Sequence, residues 1–342
     1  MPGRPAQCKT ALLPTYGRGS NRVNRGYWKS GPRGAHAGQM IMTLREIGFL
    51  KLNDAPLTGL IQDVPMGGGI PKILHHTHSH PDTLPAPIKR NIARIRALNP
   101  GWEYRFYGND DCIEYIRAEY GEEVLGYYLR INKDYGAARA DLFRYLALYK
   151  QGGVYLDVKA GVNRPFDEVL KPYDSYMLSH WKNGPDSIFK DWGIHPELRD
   201  LRRGEFQQWF IIAAPGHPFL KAVIENVLAN IDTYVPGIHR TGAHAVYRVT
   251  GPIAYSLAIL PLLDRYPHRI VDAEDDLGLS YSIFSAIGAQ EHKTVFRTHY
   301  ADLESSLVEV GPQKRALFAA YRSAAKLYKA MAGKKQQKLI HH

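Results

Sequence analysis

Two short spacings in this chain of 342 residues gather reactive side chains: Asp141 and Arg144 in ARADLFRY, and Asp157 and Lys159 in GGVYLDVK. Three-residue spacing on a helix puts Asp141 and Arg144 on one face, where both can point toward a single ligand or pair with each other. Asp157 closes the short apolar run VYLD, which reads as a buried strand. It therefore stands at the C-terminal edge of a sheet, where open α/β folds hold their ligands, although a lone aspartate there is also a common turn or cap residue. His75, His76, His78 and His80 have the residue type of metal ligands. On an extended strand alternate side chains point apart, and no cysteine or carboxylate completes a tetrahedral set, so no zinc site is expected. Asp272, Glu274, Asp275 and Asp276 offer rival ligands for a cation, but nothing around them suits phosphate binding and they read as a solvated loop. A glycine-rich phosphate loop and a Gly-x-Ser-x-Gly elbow are both missing, so kinase and hydrolase readings lack their required geometry.

The elements that must position these residues alternate between strand and helix. IPKILHH, residues 70–76, reads as a strand, residues 88–98 as a helix, and GWEYRFYG as a second strand, with Asp110 placed to cap a helix running to residue 119. GAARADLFRYLALYKQGG reads as a helix with Leu142, Tyr145, Leu146 and Tyr149 on one apolar face, ended by Gly152 and Gly153. EFQQWFIIAAPGHPFLKAVIENVLANI reads as strand, turn and helix, and TGPIAYSLAILPLLDRY as a helix kinked at Pro261. RIVDAEDD and KTVFRTHY are late strand candidates. This alternation predicts an α/β sheet with flanking helices.

Composition is globular, at 44% hydrophobic and 23% charged residues, and two cysteines, Cys8 and Cys112, allow no disulfide framework. The net charge of +11 is confined to the ends. Residues 1–40 hold seven basic side chains and residues 311–342 eight, neither with an acid, while the residues between carry 29 basic against 33 acidic groups. No nucleic-acid partner is therefore expected for the folded body. Residues 1–45 read as a disordered basic Gly/Pro-rich tail and residues 46–310 as the folded domain. Residues 311–342 read as a basic amphipathic helix and tail, expected either to lie on an anionic membrane or to pack on its own domain. No uninterrupted apolar stretch approaches the roughly 20 residues that span a bilayer, and no signal peptide is evident, so a cytoplasmic or peripheral membrane location is expected.

IPKILHHTH, NPGWEYRFYGNDD, ARADLFRYLALYKQGGVYLDV, WFIIAAPGHPFLKAVIENV and TGP, in this order, resemble the DXD-type sugar-nucleotide glycosyltransferases of family 32. That family includes yeast initiating mannosyltransferase and is related to the catalytic domains of clostridial glucosylating toxins. The resemblance implies a GT-A fold and transfer, with retention, of a hexose or N-acetylhexosamine from a nucleotide sugar, a UDP-sugar before a GDP-sugar. The implied acceptor is a glycan, a lipid-linked sugar or a protein; the alternative is a non-catalytic nucleotide-sugar or glycan-binding module that kept the fold.

By the same resemblance, Asp157 is the first carboxylate of an Asp-x-Asp pair that holds manganese or magnesium on the donor diphosphate, because hard cations take oxygen ligands. Lys159 stands where the second aspartate belongs, and three readings are open. Its ammonium supplies charge to the diphosphate beside a weak metal site or none, Asp157 binds metal through the donor phosphates and water, or activity has decayed. Asp141 and Arg144 are implied at the ribose and sugar of the donor, with Arg144 near phosphate, and Arg139 as a further contact. The strand end at His75 is implied to shape the base pocket through backbone groups; an aromatic residue often replaces His78 in the family. Gln207 or Gln208 is implied near the transferred sugar, and His299 in a segment that closes over the diphosphate, here lacking its usual tryptophan.

Overall fold

The structure, a computed structural model, describes residues 59–284 and 303–312 together with Ala316 and Ala320. The tail of residues 1–45, the strand candidate KTVFRTHY with His299, and most of the helix expected over 311–342 lie outside the described residues.

In chain order the elements are β1 (Ile73–Thr77), α1 (Ala86–Leu98), β2 (Glu103–Tyr107), α2 (Asn109–Arg130), α3 (Gly136–Gln151), β3 (Gly153–Leu156), β4 (Gly161–Val162), α4 (Phe166–Val169) and β5 (Tyr176–Leu178). They continue with β6 (Phe210–Ala213), α5 (Pro218–Thr233), α6 (Pro236–His239), α7 (Gly242–Val249), α8 (Pro252–Ile259), β7 (Arg269–Ile270) and β8 (Leu279–Ser280). Among the described residues six strands form one sheet in the order β2-β1-β3-β6-β5-β7, with β6 running against the rest. The α/β architecture with flanking helices is thus the one expected.

Every residue of β3 and β6 is buried, as their unbroken apolar sequences GVYL and FIIA require of central strands. Alternation along these strands sorts the core into two layers. Tyr155, Ile211 and Ala213 pack with α3, α5 and α8 on one face, while Val154, Leu156, Phe210 and Ile212 pack with Ile95, Phe166 and Trp181 on the other. Asp157, two residues after Tyr155, leaves the sheet on the side occupied by α3.

Helix α3 departs from the one-sided pattern read in its sequence. All residues from Asp141 to Tyr149 are buried, because the helix lies against β3 and is covered by α2 and α5. It ends at Gly152 (φ 64°), and Gly153 follows at φ 102°. A Cβ on Gly153 would stand 2.5 Å from the Ile73 carbonyl oxygen, so two glycines let the chain turn directly from α3 into the sheet beside β1.

Helix α2 also differs from expectation. Its N-cap is Gly108, whose backbone N–H donates to Asp111 at 2.7 Å, so Asp111 and not Asp110 does the capping. The helix then runs to Arg130 across a break at Gly121. The apolar run Gly242–Arg265 is long and apolar enough to cross a membrane by length and composition; half of it is buried within the protein and it is divided into α7, α8 and a 3-10 turn beginning at Leu260.

Candidate functional site

Four segments converge where β3 ends. Helix α3 brings Asp141 and Arg144, the turn after β3 brings Asp157 and Lys159, the segment before β6 brings Gln208, and the link between α7 and α8 brings Thr250. The turn is held by the Asp157 N–H donating to the Trp209 carbonyl at 2.8 Å and the Ala160 N–H donating to the Asp157 carbonyl at 2.8 Å. Ile283 donates its N–H to the Lys159 carbonyl at 2.9 Å, tying the turn to the residues after β8.

Arg144 is the hub of a buried charge network. Its guanidinium lies 3.2 Å from Asp141 Oδ1 and 3.2 Å from Asp157 Oδ1, donates to the Gln208 carbonyl at 2.6 Å, and rests on the Tyr155 ring with its centre 4.5 Å from the centroid. Asp141 also accepts from Gln208 Nε2 at 3.1 Å and from the Thr250 hydroxyl at 2.8 Å. Its side chain is only 3% exposed, so the internal ion pair is the contact the structure shows for these two residues.

Asp157 is the opening of this network to solvent, with 23% of its side chain exposed. Its Oδ2 accepts from Lys159 Nζ at 2.9 Å, and its Oδ1 accepts from the Tyr155 hydroxyl at 3.4 Å as well as facing Arg144. Lys159 Nζ also lies 4.3 Å from the centre of the Tyr281 ring. Burial alone would raise the Asp157 pKa, but the Lys159 ammonium and Arg144 guanidinium outweigh it and hold the carboxyl below its ordinary range. Burial would likewise lower the Lys159 pKa, and Asp157 reverses that effect and raises it. Both groups are charged at neutral pH.

The other residues singled out from sequence are placed apart from this cluster or beside it. Arg139 donates to the Ile131 carbonyl at 2.8 and 3.0 Å and lies over Tyr128, so it fastens the start of α3. His75 is buried within the sheet, between the Gly152 carbonyl at 3.0 Å and the Tyr107 hydroxyl at 3.3 Å, and burial pushes its pKa down to about 4. Gln207 is buried with Oε1 unpartnered, as is the indole Nε1 of Trp209. Both residues line a pocket with Trp181, Phe189 and Tyr281. His299 lies outside the described residues; the segment a few positions on is anchored by the Tyr135 hydroxyl donating to the Ser305 carbonyl at 2.7 Å.

Tyr155, Thr250 and Tyr281 carry contacts that the sequence reading did not assign. Period two along β3 would have put Tyr155 on the face of Asp157, whereas Thr250 and Tyr281 are separated from it by about a hundred residues and reach it only through folding.

Among the described residues, the carboxylates at this site do not form a set suited to a divalent cation. Both oxygens of Asp157 face cations, Asp141 is enclosed by its three partners, and no group of three or more metal-ligating side chains occurs among the described residues. The acidic run near β8 is occupied as well: Lys182 Nζ lies 3.2, 3.3 and 3.0 Å from Asp272, Glu274 and Asp275.

Residues 85–176 match the model of the glycosyltransferase sugar-binding region containing a DXD motif. The chain is 31% identical over 160 residues to inositol phosphoceramide mannosyltransferase 3 of Schizosaccharomyces pombe, covering 46% of this chain and 37% of that protein. It is 24% identical over 174 residues to the initiation-specific alpha-1,6-mannosyltransferase of the same organism, covering 48% and 41%. The chain thus spans about two fifths of the length of these relatives. Among solved structures, the PaToxG glycosyltransferase aligns with a TM-score of 0.41 at 14% identity, over 66% of this chain and 82% of that one.

Proposed function

From the premise that residues 85–176 belong to the sugar-binding region of the DXD-motif glycosyltransferases, we propose that the protein is a glycosyltransferase that moves a hexose from a nucleotide sugar. The observation that carries this reading is the partly exposed Asp157 flanked by Lys159 and Arg144 at the C-terminal edge of the sheet. Cations fixed there by buried partners are placed to meet the charge that grows on a departing diphosphate. Asp141, Thr250 and Gln208 hold Arg144 in position from behind, which is the role their burial supports.

The transfer proceeds with retention. The bond from the anomeric carbon to the donor phosphate oxygen breaks, a bond to the acceptor oxygen forms on the same face, and the acceptor proton passes to the departing phosphate. No protein nucleophile is then needed. The named relatives are mannosyltransferases, so mannose joins the UDP-sugars as a candidate donor sugar. One relative is named for inositol phosphoceramide, which favours a lipid among the glycan, lipid-linked and protein acceptors.

A panel of UDP- and GDP-sugars, scored by thermal stabilisation and by release of free sugar, tests the proposal. One donor should stabilise the fold and lose sugar slowly to water. A donor that stabilises without any turnover would favour the non-catalytic binding module, and no stabilisation by any donor would refute the donor site.

A further inference from the structure

We infer that the nucleoside diphosphate is held through Lys159, with Arg144 behind it and Asp157 positioning both cations, and with no divalent metal ion between protein and phosphates. This rests on the donor-site reading above and deepens it.

The geometry of Asp157 is the first support. A carboxylate that ligates a metal needs an oxygen turned toward the ion, yet here Oδ2 is taken by Lys159 at 2.9 Å and Oδ1 by Arg144 at 3.2 Å and Tyr155 at 3.4 Å. A divalent ion bound to either oxygen would stand close to two fixed positive charges. Asp141, the other carboxylate on Arg144, accepts from Gln208 and Thr250 as well and is sealed in the core.

Charge equivalence is the second support. An aspartate carrying a divalent cation contributes one net positive charge at its position, and a lysine contributes the same charge alone. Lys159 thus leaves the local balance facing a diphosphate unchanged when the metal is removed. Its ammonium has three donors, of which Asp157 takes one, so it can bond phosphate oxygens while staying paired.

Preorganisation is the third. The Lys159 side chain is only 13% exposed, its carbonyl is fixed by the Ile283 N–H, and its ammonium lies against the Tyr281 ring. A lysine at a solvated turn would have none of these restraints.

Calorimetric titration of the full-length protein with UDP and with GDP, in EDTA and again in manganese chloride, tests the assignment. Wild-type affinity for the nucleotide that binds should agree within about threefold between the two buffers. Lys159→Ala should weaken it by about tenfold or more, and Lys159→Arg, which keeps the charge, should restore most of it. In Lys159→Asp, binding should become dependent on manganese. The spectrum of free manganese, followed by electron paramagnetic resonance, should be unaffected by wild-type protein. Nucleotide binding that requires manganese, or stoichiometric capture of manganese by the wild type, would overturn this assignment while leaving the donor site standing. Absence of binding by both nucleotides in both buffers would overturn the donor site itself.

Discussion

Replacing Asp141 by asparagine removes one charge from the interior and leaves the shape of the side chain nearly unchanged. The new amide could still accept from Thr250 or Gln208, but Arg144, 5% exposed, would keep only Asp157 as a charged partner at 3.2 Å. Breaking a buried pair in this way costs about 3–5 kcal/mol, and the surviving partner puts this case at the lower end, near 3 kcal/mol. Against a total of about 5–15 kcal/mol for a folded domain, that is a large share. With a urea dependence of about 3 kcal/mol per M, the midpoint should fall by about 1 M. Asp157→Asn should cost less, about 1 kcal/mol, because water screens a side chain that is 23% exposed. The double variant Asp141→Asn/Arg144→Met should be less destabilised than the sum of its single variants by about 1–3 kcal/mol, since no orphan charge remains. Additive single variants, or an Asp157→Asn that costs more than Asp141→Asn, would refute the view that the buried half of the network carries its stability.

His76 is fully buried against Tyr104 with both ring nitrogens unpartnered, so His76→Phe should raise stability by about 1–3 kcal/mol in the same urea assay; a loss of stability would show that a hidden partner satisfies the ring. Burial lowers the pKa of His75 and His217 to about 4 and of His76 to about 3, so each is neutral when folded and takes up a proton on unfolding below its ordinary value of 6.5. Their contribution is complete above pH 6.5 and is lost as pH falls toward those folded values, at up to about 4 kcal/mol per pH unit for three protons. Urea midpoints that are flat between pH 7 and 5 would contradict this, and His76→Phe should flatten the slope. Gly153→Ala forces a side chain into φ 102° and against the Ile73 carbonyl, so it should cost about 2–4 kcal/mol, read from thermal unfolding; a neutral variant would mean that β1 and β3 can separate freely there.

Much of the scaffold is written in local pattern. Unbroken apolar runs mark β3 and β6 as central strands, and the paired glycines at 152 and 153 mark the passage from α3 into the sheet, because both signals act through neighbouring residues alone. The side chain that caps α2 is Asp111, one residue from the position its sequence suggests, and the helix runs on by more than a full turn, since Asp110 and Asp111 look alike in sequence and only backbone geometry selects between them. The choice of Asp157 as the edge of the sheet likewise needs nothing beyond the strand that precedes it.

What the chain pattern could not decide is which charges meet. Spacing allowed Asp141 and Arg144 either a ligand or each other, and the covering of α3 by α2 and α5 chose the internal pair by removing water from both. The segment before β6 and the link between α7 and α8 joined Gln208 and Thr250 to that pair from more than sixty residues away. Lys159 was legible as a cation in the position of a carboxylate, and its bond to Asp157 two residues away is local, but its seat on Tyr281 depends on the β4–β8 pairing, which brings residues 159 and 281 together. Residue types and local periodicity determine the elements and name the candidates; desolvation and long-range contact determine which of them are charged, paired and open to a ligand.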